Sequence, residues 1–277
     1  MFSKSLLALA ALATAAFGAQ LTDFQTEMHN VGQALDGEPA GFMTKIEGVD
    51  TYVTLPKGLR AKPREAVVFL TDIFGLALVN SKLLADQFAA KGFATFAPDY
   101  LNGDPVPVNQ TGFNMTAWSL RHTEVQTTPP LLSVIDGLSK FGVKKLAATG
   151  YCFGGLYILR LAQNNTIAVG ATAHPSALSV PDDFLKLSDI GKTPLQIHSA
   201  ELDTAFTQAL AATADSVLNA TGTFSDLTPY APGYNRINHL GVGHGFAVRP
   251  ANASDPVQIA AMQAAFSETV DWFSKHL

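Results

Sequence analysis

Two kinds of hydrophobic spacing alternate along this chain. Residues 66–71 (AVVFLT) and 93–97 (FATFA) are short apolar runs without polar alternation, bounded by turn-forming residues, and residues 144–149 (KKLAAT) also read as a strand. Such runs predict strands buried on both faces. Between them lie segments with helical spacing. Residues 81–90 carry Leu84 and Phe88 four apart and end at Lys91-Gly92, and residues 131–138 read the same way. Residues 51–55 alternate and stop at Pro56-Lys57-Gly58, an early strand and turn. Residues 167–173, 195–199 and 236–240 are further strand candidates. Near the end, Ser254-Asp255-Pro256 is a helix-start signal with proline at the first helical position. Ile259, Met262, Phe266, Val270 and Phe273 then recur every three or four residues, which predicts an amphipathic closing helix.

Repeated strand and helix units predict an α/β fold: a mostly parallel central sheet with helices on both faces and ligands at the carboxyl ends of the strands. No repeat, charge block or low-complexity linker divides the 277 residues, so residues 20–277 are expected to form one domain. Two stretches stand outside the alternation. Residues 20–41 have little periodicity and read as surface structure. Residues 101–130, rich in Asn, Gly, Pro and Thr, read as a loop excursion with some helix near Trp118, of the kind that covers active sites.

Composition and charge narrow the function. At 47% hydrophobic and 15% charged, the chain has the makings of a large interior and is not a disordered polyelectrolyte. A net charge of −5 leaves nothing to hold a phosphate backbone, so nucleic acid is not an expected partner. Residues 1–19 combine Lys4, an apolar run and small residues suited to cleavage, which is the pattern of a secretory signal peptide too short to span a bilayer. No later segment is apolar enough to anchor the mature chain. Acceptor sequons at Asn109, Asn114, Asn164, Asn219 and Asn252 point to the same secretory compartment and to a glycoprotein. Secreted chains often pair their cysteines, yet Cys152 is alone. Inert burial is the plain reading of such a thiol; its surroundings suggest another.

Cys152 sits in Gly150-Tyr151-Cys152-Phe153-Gly154-Gly155, directly after a predicted strand and before a helical segment. A nucleophile held on so sharp a turn needs neighbours without side chains two residues away on either side. The start of the following helix favours a thiolate. The backbone N–H of Phe153, and that of Ile73 in the turn after the strand at 66–71, are candidate oxyanion donors. His244, in the glycine-flanked loop before the closing helix, is the candidate base. Asp203, in the loop after residues 195–199, is the candidate acid that orients it. Nucleophile, acid and histidine then follow the chain order of an α/β-hydrolase. Glu201 is a nearer rival for the acid role and Asp226 a distant one. His174, His198 and His239 read as structural, and with no zinc-site spacing neither a metal nor another cofactor is expected.

On these residues the sequence resembles the dienelactone hydrolase family. Asp72-Ile73-Phe74-Gly75 is similar to that family's Glu-Ile-Phe-Gly turn, Pro98-Asp99-Tyr100 to its Pro-Asp-Leu-Tyr, residues 150–155 to its elbow and Gly243-His244-Gly245-Phe246 to its histidine loop. The resemblance implies a Cys152, Asp203, His244 triad. It also implies that Asp72, in place of the family's glutamate, accepts the thiol proton in the resting enzyme, with charge preserved and reach shortened. Tyr100 and Arg249 fall near the family's substrate-binding positions. Leu101 stands where bacterial members carry an arginine, and Arg249 lies one place later than their second, which points away from dienelactone itself. The expected function is a secreted hydrolase of small carboxylic esters or lactones working through an acyl-thioester. A polysaccharide-active hydrolase and a non-catalytic ligand-binding relative on the same scaffold are the alternatives; monomer and homodimer are both open.

Overall fold

In a computed structural model that describes residues 35–277, the alternating pattern becomes one eight-stranded sheet. Its strands are β1 (Phe42–Ile46), β2 (Val49–Thr54), β3 (Glu65–Leu70), β4 (Ala94–Pro98), β5 (Lys145–Tyr151), β6 (Val169–Ala173), β7 (Leu195–Ala200) and β8 (Tyr234–His239). They lie in the order β1-β2-β4-β3-β5-β6-β7-β8. β2 runs antiparallel to β1 and to β4; every other pairing is parallel. Apolar runs such as β4, buried at all five positions, fit because helices cover the sheet on both faces. The expected signal segment, residues 1–19, lies outside the described residues, and among the described residues no helix is long and apolar enough to cross a membrane.

The helices are α1 (Val79–Ala90), α2 (Met115–Arg121), α3 (Glu124–Phe141), α4 (Phe153–Gln163), α5 (Asp182–Ile190), α6 (Gln208–Leu218) and α7 (Pro256–His276). Phe88 of α1 meets Phe266 and Phe273 of α7 with ring centroids 4.9 and 6.1 Å apart, so the predicted apolar stripe of the closing helix is the one that packs. Asp255 caps α7 by accepting the Val257 N–H at 2.9 Å.

Two elements depart from the sequence reading. β1 was not expected, because this edge strand leaves Phe42 and Met43 largely exposed and carries no burial pattern. α3 begins at Glu124, inside the stretch expected to be loop, and runs through Pro129 and Pro130. Proline removes two backbone donors there, but the carbonyl of Gln126, which an N–H at position 130 would have met, instead accepts from the Asn102 side chain at 3.0 Å. A long-range partner thus makes a proline pair tolerable inside a helix.

The parallel register aligns the strand ends. Leu70 pairs with Gly150, Tyr151 with Ala173, Ala173 with His198 and Ala200 with His239. The residues that follow β3, β5, β7 and β8 therefore emerge along one edge of the sheet, and Asp72, Cys152, Asp203 and His244 are among them.

Candidate active site

Cys152 joins β5 to α4 with φ 54° and ψ −114°, a conformation that side-chain-bearing residues rarely adopt. The turn is pinned on both sides. The Cys152 N–H donates to Ala173 O at 3.2 Å, and its carbonyl accepts from Gly155 N at 2.9 Å and Ser176 N at 3.1 Å. A Cβ on Gly150 would lie 2.5 Å from the carbonyl oxygen of Gly154, and one on Gly154 would lie 2.5 Å from that of Leu70. Strand and helix close around the cysteine at these two points, which is the steric reason for the pattern. Phe153 is the first residue of α4, so its N–H belongs to the helix start, where donors have no intrahelical acceptor.

His244 and Asp203 meet beside this turn. His244 Nδ1 lies 3.0 Å from each carboxylate oxygen of Asp203, and both side chains are sealed from solvent. Asp203 Oδ1 also accepts the N–H groups of Ala205 at 2.8 Å and Phe206 at 3.0 Å. A carboxylate can only accept, so Nδ1 carries a proton, and the charges of the ring and of the Cys152 thiol act on each other. The rival acids do other work: Glu201 accepts the Gly241 N–H at 2.8 Å, and Asp226 is exposed.

Electrostatics polarise this cluster. Burial alone would push the His244 imidazole down, but the charges of Asp203 and Cys152 outweigh it and raise its pKa to about 10. For Cys152 burial raises the thiol, and His244 and Arg249 together reverse the sign and hold it below its ordinary value. Asp203 is likewise lowered: its burial is overcome by His244 and by the two backbone donors. By contrast, burial holds His198 down at about 3 and His239 at about 4, so neither is a proton carrier near neutral pH.

Asp72 and Arg249 form a second buried pair, Oδ2 to Nε 2.7 Å. Burial lifts the Asp72 carboxyl above its ordinary range, while Arg249 and the Phe74 N–H, which donates to Oδ1 at 3.0 Å, pull the other way. Arginine does not deprotonate, so the guanidinium is charged, and both carboxyl oxygens of Asp72 accept hydrogen bonds. Gly245 makes room for it: a Cβ there would lie 2.6 Å from an Arg249 nitrogen. Tyr100 is also fully buried and donates its hydroxyl to Thr71 O at 2.6 Å. The Tyr100 hydroxyl and the Arg249 Nε are thus engaged inside the protein, while the buried Nη2 of Arg249 makes no hydrogen bond. Tyr100 stacks 6.2 Å from Phe153, and Trp118, from the expected loop excursion, meets Phe153 edge-on at 5.6 Å.

The structure adds two neighbours that the sequence reading left out. Ser176 Oγ lies 3.6 Å from Cys152 Sγ. His174, read as structural, is buried with its ring 5.0 Å from that of His244, and neither of its ring nitrogens finds a hydrogen-bond partner. Both follow β6 in His174-Pro175-Ser176, a segment with no motif to mark it.

Comparison with known proteins identifies the family. Residues 49–277 match the sequence profile of the dienelactone hydrolase family. The chain is 33% identical over 249 residues to "Hydrolase pyvD" of Aspergillus violaceofuscus, covering 89% of this chain and 94% of that one. It is 30% identical over 248 residues to "Dienlactone hydrolase 1" of Gibberella moniliformis, covering 85% and 88%. A putative dienelactone hydrolase from Klebsiella pneumoniae has the same fold, with a TM-score of 0.68 at 16% identity over 85% of this chain and 98% of that one. The chain belongs to the dienelactone hydrolase family and has its α/β-hydrolase fold.

Proposed function

We propose that this chain is a secreted hydrolase of carboxylic esters or lactones in which Cys152 is the nucleophile, His244 the general base and acid, and Asp203 the group that orients the histidine. The observation that carries the reading is the placement of one imidazole between a buried carboxylate and the lone thiol at the elbow. Family membership supports the bond type. His244 holds the thiol proton, and the thiolate adds to the substrate carbonyl. The N–H groups of Phe153 and Ile73 receive the developing oxyanion. As the carbon–oxygen bond breaks, His244 returns the proton to the departing alkoxide, which in a lactone stays tethered to the acyl group. A thioester on Cys152 remains. His244 then takes a proton from water, hydroxide adds to the thioester, and the acid leaves with Cys152 restored as thiolate beside the protonated imidazole.

Asp72 is better placed as the partner of Arg249 than as the resting proton acceptor. Its Oδ2 is occupied by a guanidinium and its Oδ1 by the Phe74 N–H, whereas the charge of His244 is the strongest influence that lowers the thiol. A panel of lactones and aryl esters, assayed with wild type and Cys152→Ala, tests the mechanism. Rates should fall by about 10³-fold or more in the variant. Rapid-quench mass spectrometry of wild type should show one acyl group on Cys152. Equal rates in the two proteins would refute it.

A further inference from the structure

We infer that His198 Nδ1, His239 Nε2 and Glu268 Oε2 form a binding site for one divalent transition metal ion of the zinc class, separate from the Cys152 site. The three residues come from β7, β8 and α7, and 41 positions separate the two histidines, so no local spacing announces the group. His198 Nδ1 lies 3.1 Å from His239 Nε2 and 3.6 Å from Glu268 Oε2, and the three ligand atoms fall within 4.8 Å of one another. Bonds of about 2.0–2.2 Å at tetrahedral angles put ligand atoms about 3.3–3.6 Å apart. Small side-chain adjustments would bring all three onto one ion.

The tautomer needed is already set. His198 Nε2 faces Gln196 Oε1 at 3.0 Å and Thr269 Oγ1 at 3.1 Å. Thr269 spends its own proton on Ala265 O, so its hydroxyl accepts from the ring. Nε2 therefore carries the hydrogen and Nδ1 presents its lone pair to the cluster, the second-shell arrangement that fixes ligating histidines. Without a cation, the His239 Nε2–H donates to that lone pair, but the buried Oε2 of Glu268 makes no hydrogen bond. A cation supplies what that oxygen lacks. His239 joins it by moving its ring proton from Nε2 to Nδ1, with no net change in proton count.

Access and a further ligand come from the same side. A surface cleft of about 520 Å³ is lined by Gln196, Glu268, Asp271 and His276. Asp271 stands three residues beyond Glu268 on α7, on the same helical face, and can complete the coordination through water. The ion would tie α7 to β7 and β8 beneath the loop that carries His244. His239 packs against Phe246 at 4.8 Å, Phe246 against His174 at 5.5 Å, and His174 against His244 at 5.0 Å.

The test uses the whole chain freed of metal by chelator and titrated with Co(II). Wild type should develop the visible d–d bands of a nitrogen and oxygen site at one ion per chain, and Zn(II) should displace the colour and raise the unfolding temperature. Glu268→Gln and His239→Asn should each weaken Co(II) binding about tenfold or more. Glu268→Gln should keep the wild-type circular dichroism and metal-free ester hydrolysis, which shows that the fold is intact. Absence of the bands in wild type, or unchanged binding in Glu268→Gln, would overturn the assignment. So would a thiolate charge-transfer band lost in Cys152→Ser, which would move the ion to the nucleophile.

Discussion

Arg249 places its Nε 2.7 Å from Oδ2 of Asp72 across 177 residues of sequence, and both side chains are almost completely buried. The pair joins the turn after β3 to the loop after β8 at the level of the thiol. Removing one member strands the other charge in the interior, which typically costs about 3–5 kcal/mol. Asp72→Asn should therefore lower unfolding free energy in urea by that order, and adding Arg249→Met should restore part of the loss. The same Asp72→Asn variant should lower the Cys152 pKa further, because the carboxylate opposes the thiolate. A rise instead would return Asp72 to the role of proton acceptor.

The thiol and imidazole titrate as a unit, and the signs fix where stability depends on pH. Unfolded, the histidine has its ordinary pKa of 6.5 and the thiol 9.0; folded, His244 rises to about 10 and Cys152 is lowered. Cys152, lowered, contributes stability that is present above 9.0 and is lost as pH falls through its folded value, and His244, raised, contributes stability that is fully present below 6.5 and is lost as pH rises through about 10. Wild-type unfolding free energy minus that of Cys152→Ser/His244→Gln, measured from pH 5 to 10, should fall between pH 9 and 10, where the unfolded pair has lost both protons and the folded imidazolium still holds one. A difference that rises steadily across the range would contradict the ion pair. Thiolate absorbance, taken as wild type minus Cys152→Ser, should titrate below 9.0, and His244→Gln should move it upward.

The turn at Cys152 leaves no room for a Cβ two residues to either side. At Gly150 and Gly154 the added atom would meet backbone oxygens at 2.5 Å, and backbone cannot rotate aside as a flexible side chain can. Gly154→Ala should cost about 1–3 kcal/mol or more and displace the thiol. The expected result is a lower melting temperature together with a lower kcat on an activated ester. Normal stability and activity in Gly154→Ala would mean that strand and helix are less tightly closed than these distances state.

What could be read in advance follows from how local the cause is. The apolar runs of β3 to β7 and the stripe of α7 are set by their own residues, and the Gly150-x-Cys152-x-Gly154 spacing is a steric demand of one turn, so each was legible. β1 was not, since it owes its existence to the partner Val49–Thr54 rather than to burial. The early start of α3 was hidden because Asn102, in another segment, accommodates its prolines. The same holds at the site. His244 and Asp203 were found through chain order and motif, whereas Ser176, the engagement of Arg249 by Asp72, and the grouping of His198, His239 and Glu268 depend on tertiary neighbours that no spacing records.

The proposed secretion would leave a chemical trace that can be read apart from catalysis. The asparagines of all five sequons are exposed, although each had only its sequence context to recommend it. Asn109 and Asn252 sit in Asx turns, their Oδ1 accepting from Thr111 N at 3.1 Å and Ser254 N at 2.9 Å, bonds that do not use the Nδ2 that carries the modification. Asn114 uses its Oδ1 to cap α2 and likewise spares its nitrogen. Expression of the full chain in a eukaryotic secretory host should therefore yield medium protein that begins near residue 20 and drops in mass on treatment with an N-glycosidase. Replacing the five asparagines with glutamine should abolish the shift without loss of ester hydrolysis, because none of them touches Cys152, Asp203 or His244. Retention of the chain inside the cell with residues 1–19 still attached would refute the secretory reading and leave the triad untouched.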